Sequence, residues 1–306
     1  MQRIYSNIRT MGNFEEKHIT LKDTLAAGAS VYYSTSDITM FENVNIIPAV
    51  PAILDINIIL LCNKGTLTLG INGSQQCVEE GDILICPSNT RIDNCSTSDG
   101  VKCKALCLTN SKLFFLLHDK MKLWNKAAYL NKIRVLKKDN NLISECSRYY
   151  YEILTAKLQI SGYRLQADSI DYIIKAALTD LCELFFITCT DEDLSGESSK
   201  MIFNRFIDEL SNNNEKRTSV NDYAGKLCIT AKYLSSICKK ESGKTASQWI
   251  KDSLDNEILH FLQNTNLSIK EVADKLGFPN MSSFGKYVRQ HFNTSPKMLR
   301  SRKVYL

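Results

Sequence analysis

No stretch of this 306-residue chain reaches the ~18 uninterrupted apolar residues that a helix crossing a bilayer needs. Its most apolar segments, Ile46 to Cys62 and Leu181 to Cys189, are broken by Pro48, Pro51, Asp55, Asn57 and Glu183, so no helical membrane span is expected. Met1 to Lys17 has no apolar centre, and Arg3, Asn7, Arg9, Glu15 and Glu16 are scattered through it; a secretory signal is therefore not expected, and the location should be cytoplasmic. None of the eleven cysteines, at 62, 77, 86, 95, 103, 107, 146, 182, 189, 228 and 238, forms a C-x-x-C pair. Thiols without metal-site spacing or export read as reduced, small apolar side chains. Cys103 with Cys107, and Cys86 with Cys95, are the places where a thiol sensor stays open. Histidine is scarce: His18, His118, His260 and His291 show neither H-x-H nor H-E-x-x-H spacing, and none lies in the strands inferred below. A metal oxygenase or isomerase would lack its ligands. G-x-S-x-G, P-loop and G-x-G-x-x-G signatures are missing too, which argues against the common hydrolase, NTPase and dinucleotide chemistries. No catalytic residue, metal or cofactor is expected.

What is present is an ordinary folding composition, 44% hydrophobic and 23% charged, in a chain long enough for two cores. The net charge of +5 is unevenly spread. From Lys200 onward lie 18 of the 38 Lys and Arg but only 10 of the 33 Asp and Glu, a balance of +8; the rest of the chain carries −3. A basic segment on a mildly acidic body is the electrostatic footprint of a nucleic-acid-binding module, and equally of a solvated helical surface, so pattern has to decide.

Residues from about 20 to 108 read as β. Leu67, Leu69 and Ile71 alternate with Thr66, Thr68 and Gly70, and Asn72-Gly73 is a type I′ hairpin signal. Gln76 to Glu79 should return as a second strand, Asp82 to Cys86 should follow the Glu80-Gly81 turn, and Cys103, Ala105 and Cys107 alternate with outward lysines 102 and 104. Short strands at this spacing predict a sandwich or small barrel. From Lys112 to Cys189 the period turns helical, with Leu142 to Leu158 and Ile170 to Phe185 as two amphipathic helices that cap the β-domain, pair with a second subunit, or do both on different faces. Thr190 to Lys200, polar and acidic, reads as a linker.

The most specific signal is an internal duplication. Ser219-Val-Asn-Asp-Tyr-Ala-Gly-Lys-Leu227 matches Ser268-Ile-Lys-Glu-Val-Ala-Asp-Lys-Leu276 in register. Each begins with Ser followed three residues later by an acid, which predicts a capped helix start. A second helix follows each copy, Thr230 to Ser242 with Leu234, Ile237 and Cys238 apolar, and Asn280 to Phe292 with Phe284, Tyr287 and Val288 apolar. Ala224 and Ala273 must be small where the second helix crosses over, which makes each copy a helix-turn-helix. Gly243 suits the end of the first unit and Gly277 the second turn; Cys228 stands in the first turn, where the backbone either avoids positive φ or carries strain. Thr245 to Leu262, opened by Thr245-x-x-Gln248, spans roughly 27 Å, a rigid spacer for two elements entering successive major grooves. Trp249 reads as core, in helical register with Leu254.

This pattern resembles the AraC/XylS family of bacterial transcription regulators. Lys239-Lys240-Glu241-Ser242-Gly243 carries the likeness in the first unit, and Gly277-Phe278, Ser282-Ser283-Phe284, Phe292, Ser295-Pro296 and Arg300 in the second. The resemblance implies an α+β multidomain fold: a cupin-like sensing barrel at 1–110, a helical dimerisation segment at 111–190, a linker at 191–200, and an all-α domain with two helix-turn-helix units joined by a helix at 201–306. It implies double-stranded DNA, a homodimer, a small-molecule effector and RNA polymerase as partners, activation of transcription as the outcome, and no membrane. Lys232, Ser235 and Ser236 would read bases in the first unit, and Met281, Ser282 and Lys286 in the second, where Gly285 departs from the pattern and has no side chain to read with. The second unit would thus add affinity more than specificity. Thr230, Lys239, Lys240 and Arg289 would contact the DNA backbone. Leu67, Leu69, Ile83 and Ile85 would line the effector pocket, unless they are filled core. Two alternatives are an architectural or nonspecific DNA binder, which leaves about 190 residues without a purpose, and a metal-free cupin enzyme.

Overall fold

Two apolar periodicities, one of two residues and one of three to four, separate in the computed structural model into a β-domain and a helical remainder. The structure describes residues 17–20, 22–23, 30–42, 51–130, 135–138, 141–159, 166–188, 198–212 and 218–301. The strands are β1 (Lys17–Ile19), β2 (Ser30–Ser34), β3 (Ile38–Glu42), β4 (Ala52–Leu54), β5 (Asn57–Lys64), β6 (Leu67–Ile71), β7 (Ser74–Val78), β8 (Ile83–Cys86), β9 (Arg91–Thr97), β10 (Lys102–Leu108) and β11 (Val135–Leu136). They form two sheets, β1-β4-β9-β6-β7 and β11-β8-β5-β10-β3-β2, with no hydrogen-bonded closure into a barrel among the described residues. The two sheets form a β-sandwich. Asn72 (φ 48°) and Gly73 (φ 83°) both take the left-handed conformation that the β6–β7 hairpin requires.

The sheets face each other across one core, built from Leu54, Leu67, Leu69 and Ile71 on one side and Leu60, Cys62, Leu84, Cys103 and Cys107 on the other. The opposite face of the second sheet, with Leu61, Ile83, Ile85, Leu106 and Leu108, is also buried, against helices. Burial on both faces explains why β5 and β8 are apolar runs and not alternating ones. Those helices are α1 (Asn110–Leu117), α2 (Met121–Leu130), α3 (Asn141–Gln159) and α4 (Gln166–Thr188). Three details differ from the sequence reading. Val135–Leu136 is a strand inside the segment expected to be helical, paired to the edge of β8. His18 lies in a strand, β1, bonded to Asp55 at 2.9 Å. Lys104 does not point freely outward but lies under α3, 4.7 Å from the centre of the Tyr151 ring and 3.8 Å from Glu42.

Beyond the β-domain run α5 (Ser198–Asn212), α6 (Val220–Lys226), α7 (Ala231–Ser242), α8 (Ala246–Asn264), α9 (Ile269–Lys275), α10 (Met281–Phe292) and α11 (Pro296–Ser301). Of the expected linker only 198–200 is described, and it opens α5. One continuous apolar core reaches from the second sheet through α1–α5 into α6 and α7, taking in Phe203, Phe206, Tyr223, Leu227, Leu234, Ile237 and Trp249. A separate core joins the far half of α8 to α9, α10 and α11. Trp249 is the wedge of the first core. It is 5% exposed, its Nε1 donates to Ser242 Oγ at 2.7 Å, and its ring meets Tyr129 of α2 and Phe203 of α5 edge-on at 5.2 and 5.9 Å. Gly243, at φ 76°, closes α7 against the β-domain, where a Cβ would stand 3.0 Å from the carbonyl oxygen of Asn89. Replacing Trp249 with Ala is therefore expected to lower unfolding free energy by about 3–5 kcal/mol in chemical denaturation; a loss under about 1 kcal/mol would remove Trp249 from this role.

Candidate nucleic-acid interface

Every helix of the two repeat units starts with a side chain suited to its first turn. Ser219 and Ser268 accept from the backbone N–H of Asp222 and Glu271 at 3.3 and 3.2 Å, and those carboxylates accept from the backbone N–H of the two serines at 2.9 and 2.6 Å. The side-chain hydrogen bonds from the serines hold Asp222 and Glu271 below the usual carboxylate range. Thr245 and Gln248 repeat the box at the start of α8. Thr230 caps α7 and Asn280 caps α10. The two units superpose in sequence with an offset of 49 residues through Ile229 and Phe278, then 50, because the second turn holds Pro279 as an extra residue. Ala224 and Ala273 are buried under the crossing helices.

In α7, Leu234, Ile237 and Cys238 are buried, and burial pushes the Cys238 thiol up to about 12. The opposite face carries Lys232, Ser236 and Lys239, all exposed, with Ser235 half-buried beside them. Thr230 is exposed, and its oxygen already accepts from the N–H of Tyr233, which leaves its hydroxyl hydrogen for an acceptor outside the helix. Lys240 is turned away from this group: its Nζ donates to Ser199 Oγ at 3.2 Å and lies 3.7 Å from Glu241. In α10, Met281, Ser282, Lys286 and Arg289 are exposed along one stripe, and Gly285 within that stripe is buried. Tyr233, 49% exposed on α7, was not singled out by the sequence reading. Its position off the Leu234, Ile237, Cys238 stripe was the available signal.

Among the described residues of the two units, Cys228 and Asn293 are the non-glycine residues in the left-handed conformation, which Asn tolerates better than Cys. Cys228 adopts φ 56° in the first turn, where Gly277 adopts φ 72° in the second, so the strained alternative is the one realised. His291 is internal to the second unit, stacked on Tyr287 at 3.8 Å, with both side chains bonded to Asp255 of α8. His260 stacks on His118 of the N-terminal half at 3.7 Å, and burial, then His118, press its pKa below the usual histidine value. Nearby, a cavity of about 280 Å³ opens between α2 and α8, with Asn125, Tyr129, Trp249, Asp252 and Ser253 in its wall. Leu67 and Leu69 lie apart from Ile83 and Ile85: the first pair belongs to the inter-sheet core and the second to the helix-covered face. The open thiol pairs are buried or desolvated. Burial pushes up Cys95 and Cys107, and a hydrogen bond with Cys62, then burial, raises Cys103, so these sulfurs are held as thiols. Among the described residues no helix is long and apolar enough to cross a membrane, and no cluster of His, Cys, Asp and Glu is arranged to hold a metal ion.

Two capped helix pairs, joined by a capped helix and each showing one polar, basic stripe, define a duplicated helix-turn-helix DNA-binding domain. A helix-turn-helix domain model matches residues 223–302. The chain is similar to the Msm operon regulatory protein of Streptococcus mutans, 28% identical over 123 residues, covering 40% of this chain and 44% of that protein. It is also similar to the uncharacterized HTH-type transcriptional regulator YfiF of Bacillus subtilis, 28% identical over 92 residues, covering 30% and 29%. The chain thus spans less than half the length of these curated relatives. Among solved structures, ToxT from Vibrio cholerae matches with 12% identity over 91% of this chain and 98% of that one, TM-score 0.34. An AraC-type DNA-binding regulator from Chromobacterium violaceum matches with 23% identity over 35% and 96%, TM-score 0.31. The C-terminal domain of this chain is a helix-turn-helix domain. In it, Cys228→Gly is expected to relieve the left-handed strain, net of glycine's entropy cost, and to raise unfolding free energy by up to about 1 kcal/mol, while Cys228→Ala leaves it unchanged; equal stabilities for the glycine and alanine variants would place no strain there.

Proposed function

We propose that the protein is a sequence-specific, DNA-binding transcription regulator whose N-terminal half senses a small molecule or partner and mediates homodimerisation. The observation that carries DNA recognition is the repeated stripe: Lys232, Ser236 and Lys239 on α7, and Ser282, Lys286 and Arg289 on α10, each opposite a buried apolar face. Lys239, toward the end of the first stripe, supplies sequence-independent attraction to phosphate, and the residues nearer the helix starts reach base edges.

Sensing finds support in the shared core. Because the first unit shares an apolar core with the N-terminal half and the second has a core of its own, anything that favours one arrangement of that junction over another biases how the two recognition helices are presented. The cavity between α2 and α8 is where a small molecule would exert that bias. Dimerisation is supported by side chains that the cap leaves over. The inward faces of α3 and α4 are spent on the sheet through Tyr151, Leu154, Ile174 and Leu178, whereas Tyr149 and Ile153, one turn apart on α3, and Tyr172 on α4 are exposed. Sedimentation is expected to give a dimer at micromolar concentration and a monomer for Ile153→Arg; a monomeric wild-type protein contradicts dimerisation.

Selection from a random duplex library tests recognition itself. The wild-type protein is expected to enrich a motif spread over two adjacent helical turns. Lys232→Ala should change the base preference, and Lys239→Ala should weaken binding to all sequences alike and lower the salt slope by about 1. Enrichment of no motif, with salt-labile binding to every duplex, would leave only a nonspecific binder.

A further inference from the structure

In the second recognition helix the slot matching Ser235 of the first unit holds Gly285, and yet that slot is filled. Gly285 is buried although its neighbours Ser282, Lys286 and Arg289 are exposed. Arg289 is what lies over it. A Cβ placed on Gly285 would stand 3.6 Å from Nη1, 3.7 Å from Nη2 and 3.9 Å from Cζ of that side chain. Helical side chains lean toward the N-terminus, so a residue covers the surface about one turn before its own Cα. The Cα of Arg289 is in the last turn of α10, but its guanidinium sits at the level of Gly285, on the face shared by Ser282 and Lys286. Recognition helices present their N-terminal part to the base edges, and a cation brought back by a turn moves from the phosphate side toward the groove floor. Arg289 forms no ion pair among the described residues, so nothing there holds its five donors to the protein surface. The first unit has no counterpart: Ser235 occupies the slot with its own side chain, and the matching cation is Lys239, which has no fork.

We infer that Arg289, seated in the gap left by Gly285, reads a base in the second unit and selects guanine. A planar guanidinium matches the O6 and N7 acceptors of guanine with two parallel N–H donors fixed in one plane, whereas the Lys286 ammonium is an unoriented point charge and Ser282 has a single donor. The missing side chain at 285 thus makes the second unit specific, where the sequence suggested affinity more than specificity. The assignment rests on the domain acting on DNA.

Duplex selection followed by competition binding, on full-length protein, separates the cases. Wild-type protein is expected to require guanine at one position of the second half-site. Arg289→Lys keeps the charge and loses the fork, so guanine preference there should fall about tenfold while the first half-site preference stays. Gly285→Ala places a methyl at an ordinary contact distance from the guanidinium and should retain the preference; Gly285→Leu displaces the guanidinium and should lose it as Arg289→Lys does. Retained guanine preference in Arg289→Lys, or an equal loss on all sequences in Arg289→Ala, would return Arg289 to the phosphate backbone. A wild-type protein that selects a first half-site but no guanine in the second also overturns the assignment. One that selects no motif at all overturns sequence-specific recognition and this assignment with it.

Discussion

The packing of Trp249 constrains the rest of the molecule. One indole joins the last turn of α7 through Ser242, α2 through Tyr129 and α5 through Phe203, from its place in the first turn of α8. Because it is buried, none of these elements can shift without opening a cavity or stranding its N–H. The first helix-turn-helix unit is thereby fixed to the β-domain and its helical cover. The second hangs from the far end of α8 on a core of its own. Buried Lys244, bonded to Asp252 at 2.8 Å, and Gly243 against Asn89 fasten the same corner.

From that asymmetry follows a division of labour. A unit packed into the N-terminal half would feel changes there directly, while the other, carried on the far half of a 19-residue spacer helix about 28 Å long, would follow through that helix. Capping boxes at Ser219, Thr245 and Ser268 satisfy the first-turn donors of short helices that would be marginal alone. The residues proposed to recognise DNA therefore sit on elements whose ends are held.

Much of the C-terminal domain was legible in the sequence, because its signals are local. Caps, three- and four-residue apolar steps and a duplicated segment each depend on residues a few positions apart, and Leu234, Phe284, Ala224 and Ala273 lie where that pattern put them. The β-domain was legible in kind and less in detail. Leu67 and Leu69 alternate visibly, but Ile83 and Ile85 sit in a run apolar on both faces, and which face meets which layer depends on helices far along the chain. Hence four residues expected in one pocket fall into two cores. Strand β11 is two residues long, too short for any period, and exists only because β8 offers an edge. Lys240 could not be told from Lys239 by sequence; its partner Ser199 is 41 residues away. The burial of Gly285 was invisible for a related reason, since it comes from the lean of Arg289.

In the proposed reading, one capped helix holds two recognition helices for successive major grooves on a single face of DNA. Hydroxyl-radical footprinting of the full-length protein on a selected duplex tests it most directly. Two protected patches on the same face, about 10 base pairs apart, are the predicted result. A single patch, or two patches on opposite faces, would contradict the spacer geometry and the paired use of α7 and α10.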